Sequence, residues 1–369
     1  MSTLRARRGQ LTVLDAGIGN TIQDQGRPGF RQQGVPLAGA LDRDMARCAN
    51  ALVHNESTAA CLEMRGLGPR LRCDDGPLLV GLCGTASAHI QRGPATQHPF
   101  LPWTSATLFP GDELQIQAVT EGCAYLAIQA GWDVPSLMGS CSSFSKWNAP
   151  GLLSRQLAIA DVLTTHPLSP STPLAVDGDP GAGLQASRAL RAKPWRPAPL
   201  NGPVMLRAMP GPQCHHFTAE SQAQFWSTTW TASAAQDRMG LRLQGEPVHH
   251  LSPDHRDIVS DAVTPGTIQV PADGQPIALL ADCQTMGGYP KIAVVISADL
   301  PLLAHCPAGT PIRFSPVTLP QAHAAMHAIR DEWRAWADHL QPYSEPGFID
   351  HQALQLHNLI SGAVDATQL

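Results

Sequence analysis

The amino-acid sequence predicts a mainly β protein with a few helices, organised as two domains. Composition is the first reason: 32 glycines and 33 prolines accompany only 5% aromatic residues, which suits short strands and frequent turns better than helix bundles. Alternation is the second, as in Leu114, Ile116 and Ala118 against Gln115 and Gln117, the pattern of a strand with one wet face. Length is the third: 369 residues, 43% hydrophobic and 15% charged, can bury more than one core. Eight prolines with Ser, Gly and Ala and little periodicity lie between about 163 and 203, the composition of a linker. The expected boundaries are a β-rich domain at 1–165, a Pro-rich linker at 166–202, a second β-rich domain at 203–318 and a helical tail at 319–369.

Leu11 to Ile22 reads as a strand broken by Gly17 and Gly19, and Gln25-Gly26-Arg27-Pro28-Gly29 as a turn. Gly34-Val35-Pro36 and Gly39 continue that loop. Asp42 can cap a helix whose apolar positions Met45, Ala49, Leu52 and Val53 fall at helical spacing, with Asn55 as its left-handed stop. Leu78 to Leu82, Thr107 to Phe109, Leu114 to Val119 and Ala124 to Gln129 are short and β-like, and together predict a small barrel or sandwich. Beyond the linker, Val204 to Met209, Phe217 to Trp230 and Met239 to Leu243 join residues 260–300 in a second β-rich unit ending near Phe314. Pro271-Ala272-Asp273-Gly274 is a hairpin turn with a glycine free to take a positive φ. Met326, Ile329, Trp333, Trp336 and Leu340 recur at three and four residues, so Gln321 to Leu340 is an amphipathic helix whose stripe packs on the domain core.

A net charge of -5 gives no overall basic field, so neither nucleic acid nor an anionic membrane is an expected partner. No apolar run reaches the length of a membrane span, and none follows the basic start at Arg5 to Arg8 as a signal peptide requires, so a soluble, cytoplasmic protein is expected. The nine cysteines are scattered without a Cys-x-x-Cys pair, which argues against a disulfide framework or a thiolate zinc site and for reduced, buried thiols. His215-His216 and His249-His250 are adjacent pairs whose rings on a strand point to opposite faces, a poor start for a metal site.

The chemistry concentrates between Ser260 and Leu300, where two β-type runs bracket a polar loop. Gly287-Gly288 needs no Cβ room, so its backbone can take unusual φ/ψ and turn N–H groups toward one oxygen. Gln284 offers an acceptor and two donors in a plane, complementary to a cyclic amide or ureido group, although pinning a turn would use it equally well. With Thr285 these groups can cradle a carbonyl oxygen as it gains charge, and Asp282 is a candidate for proton transfer. Lys291 is one of three lysines, with Lys146 and Lys193, and offers a compact charge for a carboxylate or phosphate unless it simply faces solvent. Tyr289 and Gln269 flank this inventory as substrate-binding candidates. Arg238 and Arg27, the latter close to Asp24, sit in loops beside glycines, where a guanidinium can grip a substrate carboxylate or bind a neighbouring Asp structurally. There is no Gly-x-x-x-x-Gly-Lys-Ser/Thr loop, Gly-x-Ser-x-Gly elbow or dinucleotide fingerprint.

Through Thr21 to Gly29, Gly34-Val35-Pro36, Gly39 to Asp42, Ala49-Asn50, Leu62-Glu63, Ala130 to Pro135, Asp237 to Leu243 and most of Ile268 to Leu300, the chain resembles the biotin-dependent carboxyltransferase family, whose members also go by allophanate hydrolase subunit 2 and the C-type subunit of 5-oxoprolinase. The resemblance implies two cyclophilin-like β-barrel domains acting with a sister chain of the allophanate hydrolase subunit 1 type (the B-type subunit of 5-oxoprolinase) and a third chain (its A-type subunit). Together they would open the lactam of 5-oxoproline to glutamate, with ATP used by the complex and this chain inactive alone. As alternatives it implies carboxyl transfer from carboxybiotin to urea, with biotin supplied by another chain because no lysine here has a Met-Lys-Met setting, or a non-catalytic role as regulatory partner of a kinase-inhibitor-like sister chain. The family pattern Gly-Ser-Arg-Ser-Thr appears here as Gly139-Ser140-Cys141-Ser142-Ser143, and Asp-Arg-Gln-Thr as Asp282-Cys283-Gln284-Thr285. If those arginines hold an anion in relatives, each loss removes about 1.5–3 kcal/mol of charge-assisted contact.

Overall fold

The computed structural model describes residues 7–168, 190–195 and 202–342. Its first unit contains β1 (Gln10–Asp15), β2 (Thr21–Gln23), α1 (Arg43–Leu52), β3 (Cys61–Met64), β4 (Arg70–Asp75), β5 (Leu78–Cys83), β6 (Ala86–Arg92), β7 (Thr96–Phe100), β8 (Thr104–Leu108), β9 (Glu113–Val119), β10 (Ala124–Ile128) and β11 (Val162–Thr164), with β12 (Leu190–Arg191) added from the expected linker. These strands form two sheets, one in the order β11-β1-β4-β9-β6-β7 and one running β2-β3-β10-β5-β8-β12. Of the two architectures the sequence allows for this unit, barrel or sandwich, the paired sheets make the sandwich.

Strands β5, β8 and β10 are buried along their whole length because both faces of their sheet are covered. Leu78, Val80, Leu82, Leu126 and Ile128 share a core with Leu11, Leu71, Leu114 and Ile116 of the facing sheet. Leu79, Cys83, Tyr125 and Ala127 belong to the other core, with α1. The Asp42 carboxylate caps α1 by accepting the Met45 N–H at 2.8 Å. The left-handed residue after the helix is His54, φ 58°, and not Asn55. Asn55 instead spends its side-chain amide on Asn50 Oδ1 at 3.0 Å and on the Ile128 carbonyl at 2.7 Å.

The second unit is a closed barrel, β13 (Val204–Pro210), β14 (Trp230–Gln236), β15 (Gly240–Gln244), β17 (Thr267–Gln269), β18 (Ile277–Leu279), β20 (Lys291–Val295) and β21 (Pro311–Pro316), in the order β13-β20-β17-β18-β15-β14-β21. Parallel pairing of β13 with β21 closes it. Outside the barrel, β16 (Asp261–Ala262) and β19 (Met286–Gly287) make a two-stranded ribbon. The turn at Pro271 to Gly274 joins β17 to β18 as expected, with Gly274 at φ 73°. Phe217 to Trp230 departs from the β expectation: Thr218 caps Ser221 N–H at 3.1 Å and starts α2 (Ala219–Ser227). Its Phe225 stacks on Phe314 of the barrel with centroids 5.0 Å apart, so the aromatic residues that look like strand material serve a helix lid.

After α3 (Leu300–Ala304), Thr318 and Gln321 form a reciprocal capping box that opens α4 (Leu319–Ala337). Ile329 is buried and Trp333, Trp336 and Leu340 pack against the core, whereas Met326 is 40% exposed. β22 (Gln341–Pro342) then pairs with β12, tying the end of the described tail to the first unit; 343–369 lie outside the described residues. One core cluster runs from α1 and the outer face of β5 and β10 through the barrel interior to α4. All nine cysteines are unpaired and seven are buried, with Cys141 and Cys214 half-buried. No helix among the described residues is long and apolar enough to cross a membrane.

Candidate active site between the two units

Three loops meet where the sandwich faces the barrel. The first, 24–41, is held by its own polar residues. The Asp24 carboxylate accepts from Gly26 N–H at 2.7 Å, from the Ser140 hydroxyl at 2.6 Å, from Cys141 N–H at 2.6 Å and from the Ser142 hydroxyl at 2.5 Å. Arg27 is fully buried and donates to the carbonyls of Leu137, at 3.2 Å, Ser140 and Ser142. Its guanidinium lies 4.3 Å from the ring centre of Trp147. Asp24 and Arg27 are therefore the internal frame of this loop and of the second, 137–147, and not groups open to a substrate.

The third loop, 282–290, comes from the barrel. Gln284, Thr285 and Asp282 line a cavity of about 350 Å³ together with Lys146, Trp147 and Phe144 of the opposing loop. Gln284 and Thr285 are half-buried, and Lys146 is exposed at the rim. Lys146 is a site residue that the sequence argument misses, although its rarity was the available signal. Arg31 is a second. It donates to the Gln284 carbonyl at 3.1 Å and to the Val263 carbonyl, beside the buried thiol of Cys283, so a cation from the first unit reaches the strand end where the family pattern carries arginine. Nothing in the sequence neighbourhood of Arg31 signals that role.

Five of the expected site residues stand elsewhere. Lys291 is buried, and its ammonium is taken by the Asp261 carboxylate and the Ala262 carbonyl, 3.0 Å away. It pins the β16–β19 ribbon to the barrel and does not line the cavity. Gln269 donates its amide to the Tyr289 carbonyl at 3.2 Å, while the Tyr289 side chain is 41% exposed outside the cavity. Gly287 is not in the left-handed region; a Cβ there would lie 2.5 Å from Gln269 Nε2, so the glycine permits close approach. The Gly287 backbone is committed to the ribbon, and Gly288 accepts the Ile258 N–H at 2.8 Å.

Arg238 forks onto Asp282 with both nitrogens at 2.9 Å, reaches Glu63 of the sandwich, and donates to the Gly39 carbonyl at 2.6 Å. It is thus the structural clamp of the two units and has no donor pair left for a ligand carboxylate. Burial works against its charge, but Glu63 and Asp282 outweigh that and raise its pKa. Burial pushes the Asp282 carboxyl up against the pull of Arg238. With both oxygens already accepting from Arg238, Asp282 positions that arginine and is a poor proton carrier in this geometry. The Tyr125 hydroxyl donates to Glu63 at 2.7 Å and accepts the Asp42 N–H at 2.9 Å, extending the network to the start of α1.

What the cavity offers is a planar amide, a hydroxyl, a flat indole backed by a guanidinium, and one exposed ammonium. Such a set reads a flat N–C=O group with a nearby negative charge. The family described as carboxyltransferase domain, subdomain A and B, matches residues 33–316. The C-type subunit of 5-oxoprolinase from Escherichia coli (strain K12) is 35% identical over 352 residues, covering 89% of this chain and 99% of that protein. The urea amidolyase of Lachancea kluyveri is 28% identical over 320 residues, covering 83% of this chain but 17% of that protein. The crystal structure of Kluyveromyces lactis urea amidolyase has a TM-score of 0.75 at 25% identity, over 91% of this chain and 21% of that one. Family match and near full-length likeness agree: the chain belongs to the carboxyltransferase-domain family, subdomains A and B.

Proposed function

We propose that the chain is the C-type component of a multi-subunit, ATP-dependent 5-oxoprolinase, working with a sister chain and a third chain to open the lactam of 5-oxoproline to glutamate. The observation that carries this reading is the likeness to the Escherichia coli C-type subunit, which spans 99% of that protein, whereas the chain accounts for 17% of the Lachancea urea amidolyase. In the cavity, the Gln284 amide donates to the lactam carbonyl and accepts from its ring N–H, and the Thr285 hydroxyl donates to the same carbonyl oxygen as it gains charge. Lys146 pairs with the substrate carboxylate, and the Trp147 ring supplies a flat face. Asp282 and Arg238 hold the wall that carries Gln284.

The cavity lining brings one lysine and no glycine-rich phosphate loop, which does not fit a nucleoside triphosphate, so we assign ATP to another chain of the complex. In the reconstituted complex, Gln284→Ala should lower kcat for 5-oxoproline cleavage about 100-fold, the size of losing one oxyanion donor. Lys146→Ala should raise KM about tenfold with a smaller change in kcat, as expected when substrate binding is what is lost. Wild-type kinetics in both variants would remove the cavity from the reaction. A second reading, carboxyl transfer from a biotin carrier on another chain, is favoured by the fold match over 91% of this chain to yeast urea amidolyase. Carboxylation of urea by the same preparation, without turnover of 5-oxoproline, would select it.

A further inference from the structure

A second hollow along the seam is larger, about 620 Å³, within the range of small-molecule pockets. Its walls are α1, one face of α4 and the barrel from β20 to α3. Met326, Ile329, Val295 and Leu300 make it apolar, and its charge is one-sided: Arg43, Arg47, Arg330 and His323 against Asp44. Arg47 is engaged, 3.3 Å from Asp44 and 4.3 Å from the Trp333 ring centre. Arg43 is different. Its guanidinium is half-buried on the cleft wall and has no hydrogen bond or ion pair with any described residue. Burial is the main cause lowering its pKa, with Asp24, Tyr125 and Asp44 opposing. A guanidinium partly withdrawn from water and without a bonded partner would gain a charge-assisted contact from an anion entering the cleft.

We propose that this cleft binds a small amphiphilic monocarboxylate, its head paired with Arg43 and its hydrocarbon body lying between α4 and the barrel. Arg43 is one unpaired guanidinium, so the site suits a single negative charge, and a planar carboxylate matches its fork. The apolar walls select a ligand with a carbon chain over inorganic anions or sugars. This site is separate from the cavity at Gln284, and its test does not depend on any reaction of the complex.

Calorimetric titration of the purified full chain with sodium octanoate should give saturable, one-to-one binding, and octanamide, the uncharged analogue, should bind at least about tenfold more weakly. Arg43→Gln should weaken octanoate by a similar factor of about ten while leaving the thermal midpoint unchanged. Met326→Trp, which fills the cleft from the exposed side of α4, should abolish binding in a protein that still melts normally. Equal affinity for octanoate and octanamide, full binding by Arg43→Gln, or no saturable heat from octanoate at millimolar concentration would each overturn the proposal.

Discussion

The two hollows between the sandwich and the barrel differ in how their cations are neutralised. Behind the smaller one, Arg238 meets two carboxylates and a carbonyl, and the cavity itself presents dipoles, one exposed lysine and the Asp282 carboxylate that Arg238 already holds. On the wall of the larger one, Arg43 faces apolar surface with no hydrogen-bond or ion-pair partner among the described residues. Asking which arginines are already compensated separates a clamp from a receptor for anions.

The largest difference between the two arginines is expected from Arg238→Met. It leaves Glu63, whose side chain is fully buried, and Asp282 without their counter-charge, so a loss of about 3–5 kcal/mol in urea unfolding is expected. Arg43→Gln should change stability by less than about 0.5 kcal/mol. Equal losses in the two variants would show that compensation does not distinguish them.

A pH titration sharpens the same point at a third place on the seam. His305, after α3, holds Asp42 at 2.8 Å, with the Cys123 sulfur 3.9 Å from the same nitrogen. Burial opposes the charged ring, yet Cys123 and Asp42 outweigh it and raise the His305 pKa well above its ordinary value. A raised folded pKa gives stability that is full below the unfolded value, about 6.5, and is lost as pH rises through the folded one. Chemical unfolding from about pH 6 to 9 should therefore show a decline on this account that His305→Gln removes; identical profiles would exclude His305 as the source. A modest effect is expected at Lys291. Because Asp261 is half-exposed, Lys291→Met should cost about 1 kcal/mol and leave activity of the complex intact. Lost activity in a stable variant would return Lys291 to the site.

Local signals in the sequence carried much of the fold. Asp42 before an apolar helical stripe, the glycine at 274 and the i, i+3, i+4 pattern of α4 each act within a few residues, and each stands where that pattern places it. The helix α2 is hidden because Phe217, Phe225, Trp226 and Trp230 resemble strand residues while its cap, Thr218, is a common residue. The hairpin of β6 and β7 is hidden because β7 is a mostly exposed edge with a proline, Pro99. At the candidate site, Gln284 and Thr285 both line the cavity, but the sequence could not decide which cations were free. Arg238 meets Glu63 from 175 positions away, and Lys291 meets Asp261 from 30. Partners at such separations are fixed by tertiary packing and leave no spacing to read.

Because one apolar interior passes from α1 and β10 into the barrel without a break, the halves are not interchangeable parts. A methyl group gained at Cys123, whose sulfur lies 3.9 Å from His305 Nε2, has to be absorbed by side chains from the opposite half, since packed interiors have little slack. The halves must therefore accumulate substitutions in concert, and a chimera joining the sandwich of one relative to the barrel of another would inherit a mismatched interior even if every surface loop were compatible.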